Sequence, residues 1–215
     1  MIRVHEQPEP SYFHEEVRGK GRNWLDKHPA GEPEPYWRGK CLDDLGRAYK
    51  RICAYTCEQV SPVTGFASVD HFVAKNPHRD LAYEWSNYRF ACGAVNARKG
   101  KVGDIPDPFL LPAGAYELEP SLGLMRVGAV VAPEDRPFFQ KAIDRLGLNR
   151  EDIQEDRLLR YRNYQNRKIV FSLLSEYYPF LAMELCRLGL LHPEDAHHTA
   201  AEVREWLDAE VDTLR

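Results

Sequence analysis

The sequence lacks any run of about 18 or more apolar residues, which is the length a helix needs to cross a bilayer. Its first residues, Met1 to Glu6, also lack the apolar core of a secretory signal peptide. The chain has only five cysteines, an odd number, and they do not form the set of paired cysteines that a disulfide-rich extracellular domain needs. We therefore expect a cytoplasmic protein that works in a reducing compartment and makes no use of a membrane.

A net positive charge is also missing, since the chain carries a formal net charge of −4. This argues against a protein that coats nucleic acid without discrimination, because such proteins neutralise many phosphates. The charge is nevertheless uneven. Residues 70–101 hold six Lys and Arg against three acids, and residues 157–168 hold five Lys and Arg with no acid. These two segments are where phosphate binding is expected.

Internal repeats and low-complexity tracts are absent as well, and 215 residues can bury a sizeable core. Residues 1–35 are polar and rich in proline, which predicts an extended N-terminal arm. Residues 36–133 would form the core that carries the site, and 134–215 a helical C-terminal half, packed together as one elaborated domain. The predicted fold class is α+β.

The apolar pattern predicts the individual elements of this fold. A hairpin is expected over residues 52–73, turning near 61–65, and a second, short hairpin within 104–133. Asn149 is a candidate N-cap for a long helix. The predicted helices are Tyr36 to about Arg51, Tyr88–Arg98, Glu134–Leu146, Arg150–Tyr177, Pro179–Leu190 and Pro193–Leu214.

The pair Asp70-His71 is followed by Asn87, 16 positions after the histidine, and by Asn96, nine positions further on. This order resembles that of the HNH (ββα-metal) nucleases. The likeness is to bacterial HNH endonucleases of mobile and anti-phage loci, such as the nuclease subunits of Septu-type and retron-associated defence systems. It is strong over about residues 52–100, in Ile52-Cys53-Ala54-Tyr55, Val69-Asp70-His71-Phe72-x-x-Lys75, Ala82-Tyr83-Glu84-Trp85-Ser86-Asn87-Tyr88-Arg89 and Asn96-x-x-Lys99-Gly100.

Hydrolysis of a phosphodiester needs a base that deprotonates water, a cation at the reacting oxygens and a rigid frame. In an HNH site His71 would be the base, because an imidazole with a pKa of roughly 6.5 is largely free to accept a proton near neutral pH. Asp70 and the side-chain oxygen of Asn96 would hold one Mg²⁺ or Mn²⁺, since both are hard oxygen ligands. Asn87 would lie in the linking loop and fix the histidine backbone by hydrogen bonds.

Residues 69–73 combine apolar side chains with the polar pair Asp70-His71, which predicts a half-buried strand. Neighbouring strand residues face opposite ways, so Asp70 and His71 can both reach a metal only where the strand bends or ends. Each part of the pattern alone has a simpler interpretation: a surface turn for Asp70-His71, a turn for Asn87, and an ordinary helix end for Asn96 to Gly100. Their occurrence in one order favours the functional interpretation.

Contacts with nucleic acid are predicted at basic residues near the site and in the C-terminal half. Lys75, Arg98 and Lys99 could reach phosphates beside the site. Arg157, Arg160 and Arg167 would form a second flank for DNA. The alternative for these three is a solvated helix face with i,i+4 ion pairs.

Many HNH proteins brace the fold with two Cys-x-x-Cys knuckles that bind a structural zinc ion. Here Cys53 and Cys57 are separated by three residues, and valine replaces the last cysteine of the knuckle that begins at Cys92. Structural zinc sites almost always have four ligands. Cys41 or a histidine could complete a set, or the cysteines could be small buried apolar side chains. We expect less than stoichiometric zinc.

The resemblance implies a ββα-metal site embedded in a mainly helical body. His71 would deprotonate the water that attacks phosphorus, and the metal on Asp70 and Asn96 would stabilise the departing 3′ oxygen. The expected function is DNA cleavage in anti-phage defence, with an ATPase as protein partner. The alternative is a catalytically silent HNH-like module that binds nucleic acid or a partner protein, which the incomplete knuckles favour.

Overall fold

The computed structural model describes residues 1–209 and shows a mostly helical α+β protein. Within that range there are eight α-helices and two antiparallel sheets of two strands each. No helix in this range is long and apolar enough to span a membrane. The described chain divides into two compact units, which we call the site unit (Glu6–Cys53 and Val60–Asp104) and the helical unit (Met1–His5, Ala54–Gln59 and Ile105–Ala209).

The site unit is built from three α-helices and one sheet. A π-helical stretch, His14–Gly19, leads into the first α-helix. Short 3-10 turns occupy Arg79–Tyr83 and Trp85–Asn87. The regular elements are α1 (Lys20–Lys27), α2 (Lys40–Ala48), β1 (Ala67–His71), β2 (Tyr88–Cys92) and α3 (Gly93–Lys99).

The order β1, β2, α3 positions the residues of interest. β1 pairs with β2 in an antiparallel register that sets Ala67 opposite Cys92 and His71 opposite Tyr88. α3 follows β2 without a connecting loop and packs on both strands. The core beneath them consists of large buried side chains, including Phe13, Leu45, Tyr83, Tyr88 and Phe90.

Three sequence predictions for this unit are wrong. The hairpin is not formed within 52–73, because β1 pairs instead with β2, and residues 88–92 are a strand rather than the start of a helix. Four of those five residues are buried, since helices pack on the strand, and this removes the alternation that marks a half-buried strand. The N-terminal arm is not extended throughout, because residues 14–27 are helical and bury Val17.

The helical unit contains the second sheet and five α-helices. The strands β3 and β4 pair in register from Tyr116 opposite Val127 to Glu119 opposite Leu124. Its core includes Leu146, Tyr164, Leu174 and Leu185. The elements are β3 (Tyr116–Glu119), β4 (Leu124–Val127), α4 (Arg136–Leu146), α5 (Glu151–Gln165), α6 (Phe171–Tyr177), α7 (Pro179–Leu188) and α8 (Ala200–Asp208).

The helix predictions for this unit hold in part. α4 ends at Gly147, whose φ of 64° is the left-handed conformation that favours glycine after a helix. The predicted helix Arg150–Tyr177 is broken into α5 and α6, with Arg167 at a φ of 57° between them. Asn149 is not an N-cap, because its side chain bonds both backbone groups of Met125 on β4. Residues 210–214 of the last predicted helix lie outside the described residues.

The division of the chain differs from the predicted one at 133. The site unit ends at Asp104, and the β3–β4 hairpin belongs to the helical unit. The hairpin packs against α4 and α7, whose apolar side chains cover it.

Candidate functional site

A cleft of about 780 Å³ opens in the site unit beside the end of β1 and the first turns of α3. Four residues singled out in the sequence line it, namely Asp70, His71, Lys75 and Asn96. They come from one strand, the loop after it and one helix, so the β1–β2–α3 arrangement is what brings them together.

The imidazole of His71 is held in one orientation. Its Nε2 lies 2.9 Å from the carbonyl oxygen of Ala82, which also accepts a hydrogen bond from the Tyr88 hydroxyl. A carbonyl oxygen only accepts, so we assign the ring proton to Nε2, and Nδ1 keeps its lone pair. The ring packs edge-on against Trp37 and Tyr88, with centroid distances of 4.5 and 5.0 Å.

Burial also decides the charge of His71. Only 9% of the residue is exposed. Loss of hydration disfavours the imidazolium and lowers the pKa of His71 to about 4, with a smaller opposing effect from the Ala82 carbonyl. The cations Lys75 and Lys99 lower this pKa further. At neutral pH His71 is therefore uncharged, and the lone pair on its Nδ1 carries no proton.

Asp70 forms a buried ion pair with Lys99, the last residue of α3. The ammonium nitrogen lies 2.9 Å from Asp70 Oδ1, and it also donates to the carbonyl oxygens of His71 and Phe72 at 3.2 and 3.1 Å. Lys99 is fully buried and Asp70 is 2% exposed. An ammonium has three N–H donors, and three acceptors surround this one.

The same contacts mark the end of the strand. Successive carbonyls of a regular strand point in opposite directions, yet those of His71 and Phe72 both face one ammonium. The chain therefore turns directly after β1. The sequence required a bend or a strand end at this place, and the structure has the strand end there.

Asn87 secures the loop that follows β1. Its Oδ1 accepts from the backbone N–H of Val73 at 2.8 Å, and its Nδ2 donates to the carbonyls of Val73 and Leu81, each at 3.0 Å. Its own carbonyl accepts from the N–H of Phe72. Asn87 therefore ties the end of the loop to its start, and its predicted role in fixing the backbone of His71 stays a prediction.

Asn96 lies on α3 and faces β1. Its Nδ2 donates to Ser68 Oγ at 3.0 Å and to the carbonyl of Val69 at 3.3 Å. This orientation leaves the side-chain oxygen as the group able to act as a ligand. Asp70 and Asn96 line the same cleft, and their oxygens suit a hard cation such as Mg²⁺, which keeps several waters and takes one or two carboxylates. The donor set therefore fits the predicted metal.

Groups of three or more His, Cys, Asp or Glu side chains arranged to hold a metal ion do not occur within residues 1–209. Asp70 and Asn96 do not form such a group, because they are two residues and only Asp70 is of a type counted in it. The cation already at Asp70 is the ammonium of Lys99.

Three cationic side chains, those of Arg38, Lys75 and Lys101, line the cleft, and only Lys75 was predicted from the sequence as a site residue. The Lys75 ammonium lies 4.5 Å from the centre of the Trp37 ring. Burial lowers the pKa of Lys75, and the nearby charges of Arg38 and Lys101 lower it further. Lys101 could have been found from the sequence, because it belongs to the basic segment 70–101. Arg38 could not, because more than thirty residues separate it from Asp70.

Two basic residues near the site are placed differently from expectation. Lys99 is enclosed by Asp70 and two carbonyls, so contact with a phosphate would require it to leave that pair. Arg98 is half-buried on α3 and is not among the residues that line the cleft. The cationic surface of the cleft is formed by Arg38, Lys75 and Lys101 instead.

The arginines predicted as a second flank belong to the helical unit, and each pairs with a carboxylate. Arg157 is 2% exposed and bonds Glu58 at 3.0 Å. Arg160 bonds Asp156 at 2.8 Å, four residues earlier on α5. Arg167 is exposed and pairs with Glu194. Burial keeps Arg157 from contacting a phosphate, and the i,i+4 pair of Arg160 matches the alternative that the sequence left open.

The three cysteines considered for zinc are divided between the two units. Cys53 and Cys92 belong to the site unit, where the Cys92 N–H donates to Cys53 Sγ at 3.3 Å. Cys57 belongs to the helical unit, and its sulfur accepts from the N–H of Ile2 at 3.2 Å. Cys41 is buried on α2, and burial raises the pKa of its thiol to about 12, so it stays protonated at neutral pH.

Comparison of the chain with protein-family models and with curated proteins gives no match. The geometry and chemistry of the cleft are therefore what indicate the function of the chain.

Proposed function

We propose that the chain is a metal-dependent endonuclease of the HNH type, which hydrolyses DNA phosphodiester bonds in the cleft of the site unit. In this proposal β1, β2 and α3 form the ββα-metal motif. The observation that carries it is the placement of His71: an imidazole whose Nε2 is held by the Ala82 carbonyl shares one cleft with the oxygen-bearing side chains of Asp70 and Asn96 and with three cations. This is the set of groups that phosphodiester hydrolysis needs.

His71 would act as the general base through Nδ1. Its neutral state at pH 7 makes the lone pair available without prior loss of a proton. The imidazolium that forms when it takes a proton from water would be stabilised by the anionic phosphate beside it, because a nearby negative charge favours the charged form. Ala82 and Trp37 keep the ring from rotating during this transfer.

Asp70 and Asn96 would hold the divalent ion, which when bound supplies Lewis-acid stabilisation of the departing 3′ oxygen. Lys99 orients the Asp70 carboxylate and compensates part of its charge. Arg38, Lys75 and Lys101 would bind the phosphates on either side of the bond that is cut.

One observation favours the alternative, a catalytically silent module that binds nucleic acid or a protein. The Lys99 ammonium already satisfies one oxygen of Asp70, as a cation bound there would. A module of this kind would keep the cleft and its cations but would not need the ion.

The role in anti-phage defence and the ATPase partner are parts of the proposal that rest on the resemblance alone. A net charge of −4, together with arginines that pair with carboxylates in the helical unit, supports weak binding of DNA by the isolated chain. A partner that docks on the region beyond residue 134 would then deliver the DNA.

A nicking assay on supercoiled plasmid, with Mg²⁺ and Mn²⁺ titrated, tests the proposal. His71→Ala should lower the cleavage rate by roughly 10²–10⁴-fold, the usual effect of losing a general base. His78→Ala is the matched control, because His78 is an exposed histidine in the loop after β1. Thermal denaturation of each variant shows whether it is folded. Nicking by folded His71→Ala at the wild-type rate, or no nicking by the wild type at any metal concentration, would refute the nuclease.

A further inference from the structure

Phe66 is an aromatic residue that the proposed reaction does not use. It directly precedes β1, is 75% exposed and lines the same cleft as His71 and Asp70. Apolar rings usually leave water when they can, because each buried Å² of apolar surface is favourable by roughly 25 cal/mol. An aromatic ring exposed at the edge of a polar cleft is therefore a candidate for contact with a ligand.

The ring of Phe66 is backed by the main chain. The Phe66 carbonyl accepts from the N–H of Gly93, the first residue of α3, at 2.7 Å. A Cβ built on Gly93 would overlap the Phe66 ring, so the ring rests against this glycine and only glycine leaves room for it. One face of the Phe66 ring thus rests on Gly93 and the other is exposed. Because the ring is already held in place, binding a flat group to it would cost little conformational entropy.

The rest of the cleft indicates what the flat group is. Leu42, Val69 and Ala97 add apolar surface, and Arg38, Lys75 and Lys101 add positive charge. A nucleotide combines a flat, largely apolar base with an anionic phosphate. Its size also agrees, because pockets of roughly 300–1,000 Å³ hold small-molecule groups, and this cleft measures about 780 Å³.

We propose that Phe66 is a stacking platform for one unpaired nucleobase beside the phosphate that is cut. This inference rests on the proposed nuclease function and specifies its substrate as single-stranded or locally unpaired DNA. In an intact duplex both faces of each internal base are covered by neighbouring base pairs, so a protein ring can stack only on a base that has left the helix. Stacking on exposed aromatic side chains is how single strands are bound without regard to sequence.

Binding can be measured apart from cleavage. Fluorescence anisotropy in EDTA gives the Kd for a labelled single strand and for the blunt duplex of the same sequence. The variants are Phe66→Leu, which keeps an apolar cover over Gly93, and Phe66→Tyr, which keeps the ring. Phe138→Leu is the control, because Phe138 is a partly exposed phenylalanine of the helical unit that does not line the cleft.

We expect the wild type to bind the single strand more tightly than the duplex. Phe66→Leu should raise the single-strand Kd roughly 5- to 150-fold, the usual effect of losing one stacked base, and leave the duplex Kd unchanged. Phe66→Tyr and Phe138→Leu should behave like the wild type. A 2-aminopurine placed in the single strand should lose fluorescence when the wild type binds, which reports stacking without any variant.

The outcomes separate this inference from the nuclease proposal. An unchanged single-strand Kd in Phe66→Leu, or tighter binding of the duplex by the wild type, refutes the platform even if plasmid nicking continues. If Phe66 determines single-strand binding and no metal supports cleavage, stacking of an unpaired base on Phe66 stands as a binding function, and the nuclease is refuted.

Discussion

At the scale of single residues, the properties of His71 come from its surroundings. The Ala82 carbonyl fixes the tautomer, Trp37 and Tyr88 exclude water, and the consequence is an imidazole whose pKa falls to about 4. A histidine of this kind affects the stability of the protein as well as its chemistry, because the unfolded chain binds a proton that the folded one rejects.

The pH dependence of stability tests this burial. The pKa of His71 is about 4 when folded and 6.5 as an unperturbed group, so its contribution is complete above pH 6.5 and is lost as pH falls toward 4. At about 1.36 kcal/mol per pKa unit the loss is about 3 kcal/mol. Urea denaturation at pH 7.5 and pH 5 should therefore show a smaller decrease in free energy of unfolding for His71→Gln than for the wild type.

The control for this experiment is His78→Gln, an exposed histidine whose replacement should leave the difference between the two pH values unchanged. Equal pH dependence in wild type and His71→Gln would show that His71 is accessible to solvent.

The sequence predicted part of this site, and the reason is chemical. Asp70, His71, Asn87 and Asn96 were found because their types and order are unusual together. The pair between Asp70 and Lys99 could not be predicted, because a lysine at a helix end is normally solvated, and only the packing of α3 on β1 buries it. Arg38 and Trp37 reach the cleft through the tertiary fold, which spacing along the chain does not record.

At the scale of elements, the least predictable one was β2. Its residues are buried where helices pack on it, so the strand shows no alternation and resembles a helix in the sequence. The helix end at Gly147 was predictable because its signal is local. A strand or helix that is buried on more than one face has no alternation of apolar and polar residues from which it could be predicted. A helix end can be predicted from a single residue, such as the glycine that follows it.

The loop between β1 and β2 gives a prediction at this scale. Asn87→Ala removes three side-chain hydrogen bonds and leaves backbone groups of Val73 and Leu81 without those partners. We expect a lower nicking rate with an almost unchanged metal requirement, and a loss of stability of roughly 1–3 kcal/mol. Nicking rates over a Mn²⁺ titration, with urea denaturation, measure both.

Asn23→Ala is the control, because Asn23 is an exposed asparagine of the site unit, on α1, that does not line the cleft. An unchanged rate in Asn87→Ala would show that the loop does not position His71. A shift in the metal requirement alone would place Asn87 at the ion instead.

At the scale of the whole molecule, the described chain consists of two units with different charge arrangements. Three cations, Arg38, Lys75 and Lys101, line the cleft of the site unit, together with two acids, Glu32 and Asp70. In the helical unit three arginines of the basic segment, Arg157, Arg160 and Arg167, pair with carboxylates. By composition, residues 70–101 and 157–168 are both basic. Only the fold shows which of these cations line the cleft and which already pair with a carboxylate.

Charge reversal tests that distinction. Arg157→Glu should destabilise the protein by several kcal/mol, because it buries a carboxylate beside Glu58. Arg160→Glu and Arg167→Glu should leave folding intact and, since both side chains already pair with acids, leave DNA affinity and its salt dependence nearly unchanged. Denaturation and anisotropy at several salt concentrations measure these effects.

Lys101→Glu is the positive control, because Lys101 lines the cleft and its reversal should weaken DNA binding. A flatter salt dependence in Arg160→Glu or Arg167→Glu would instead assign this part of the helical unit to DNA. Loss of a partner complex with intact nicking would assign it to the partner.

The buried ion pair of Lys99 with Asp70 has a consequence for how the protein matures. A buried carboxylate that waits for a metal is costly to the folded chain if no other positive charge lies beside it. Here the chain carries its own counter-charge, on the last residue of the helix that follows the strand pair. Folding can therefore finish before any ion is loaded. Under the proposed function, the supply of metal would then decide when the nuclease becomes active, and the folding of the chain would not depend on it.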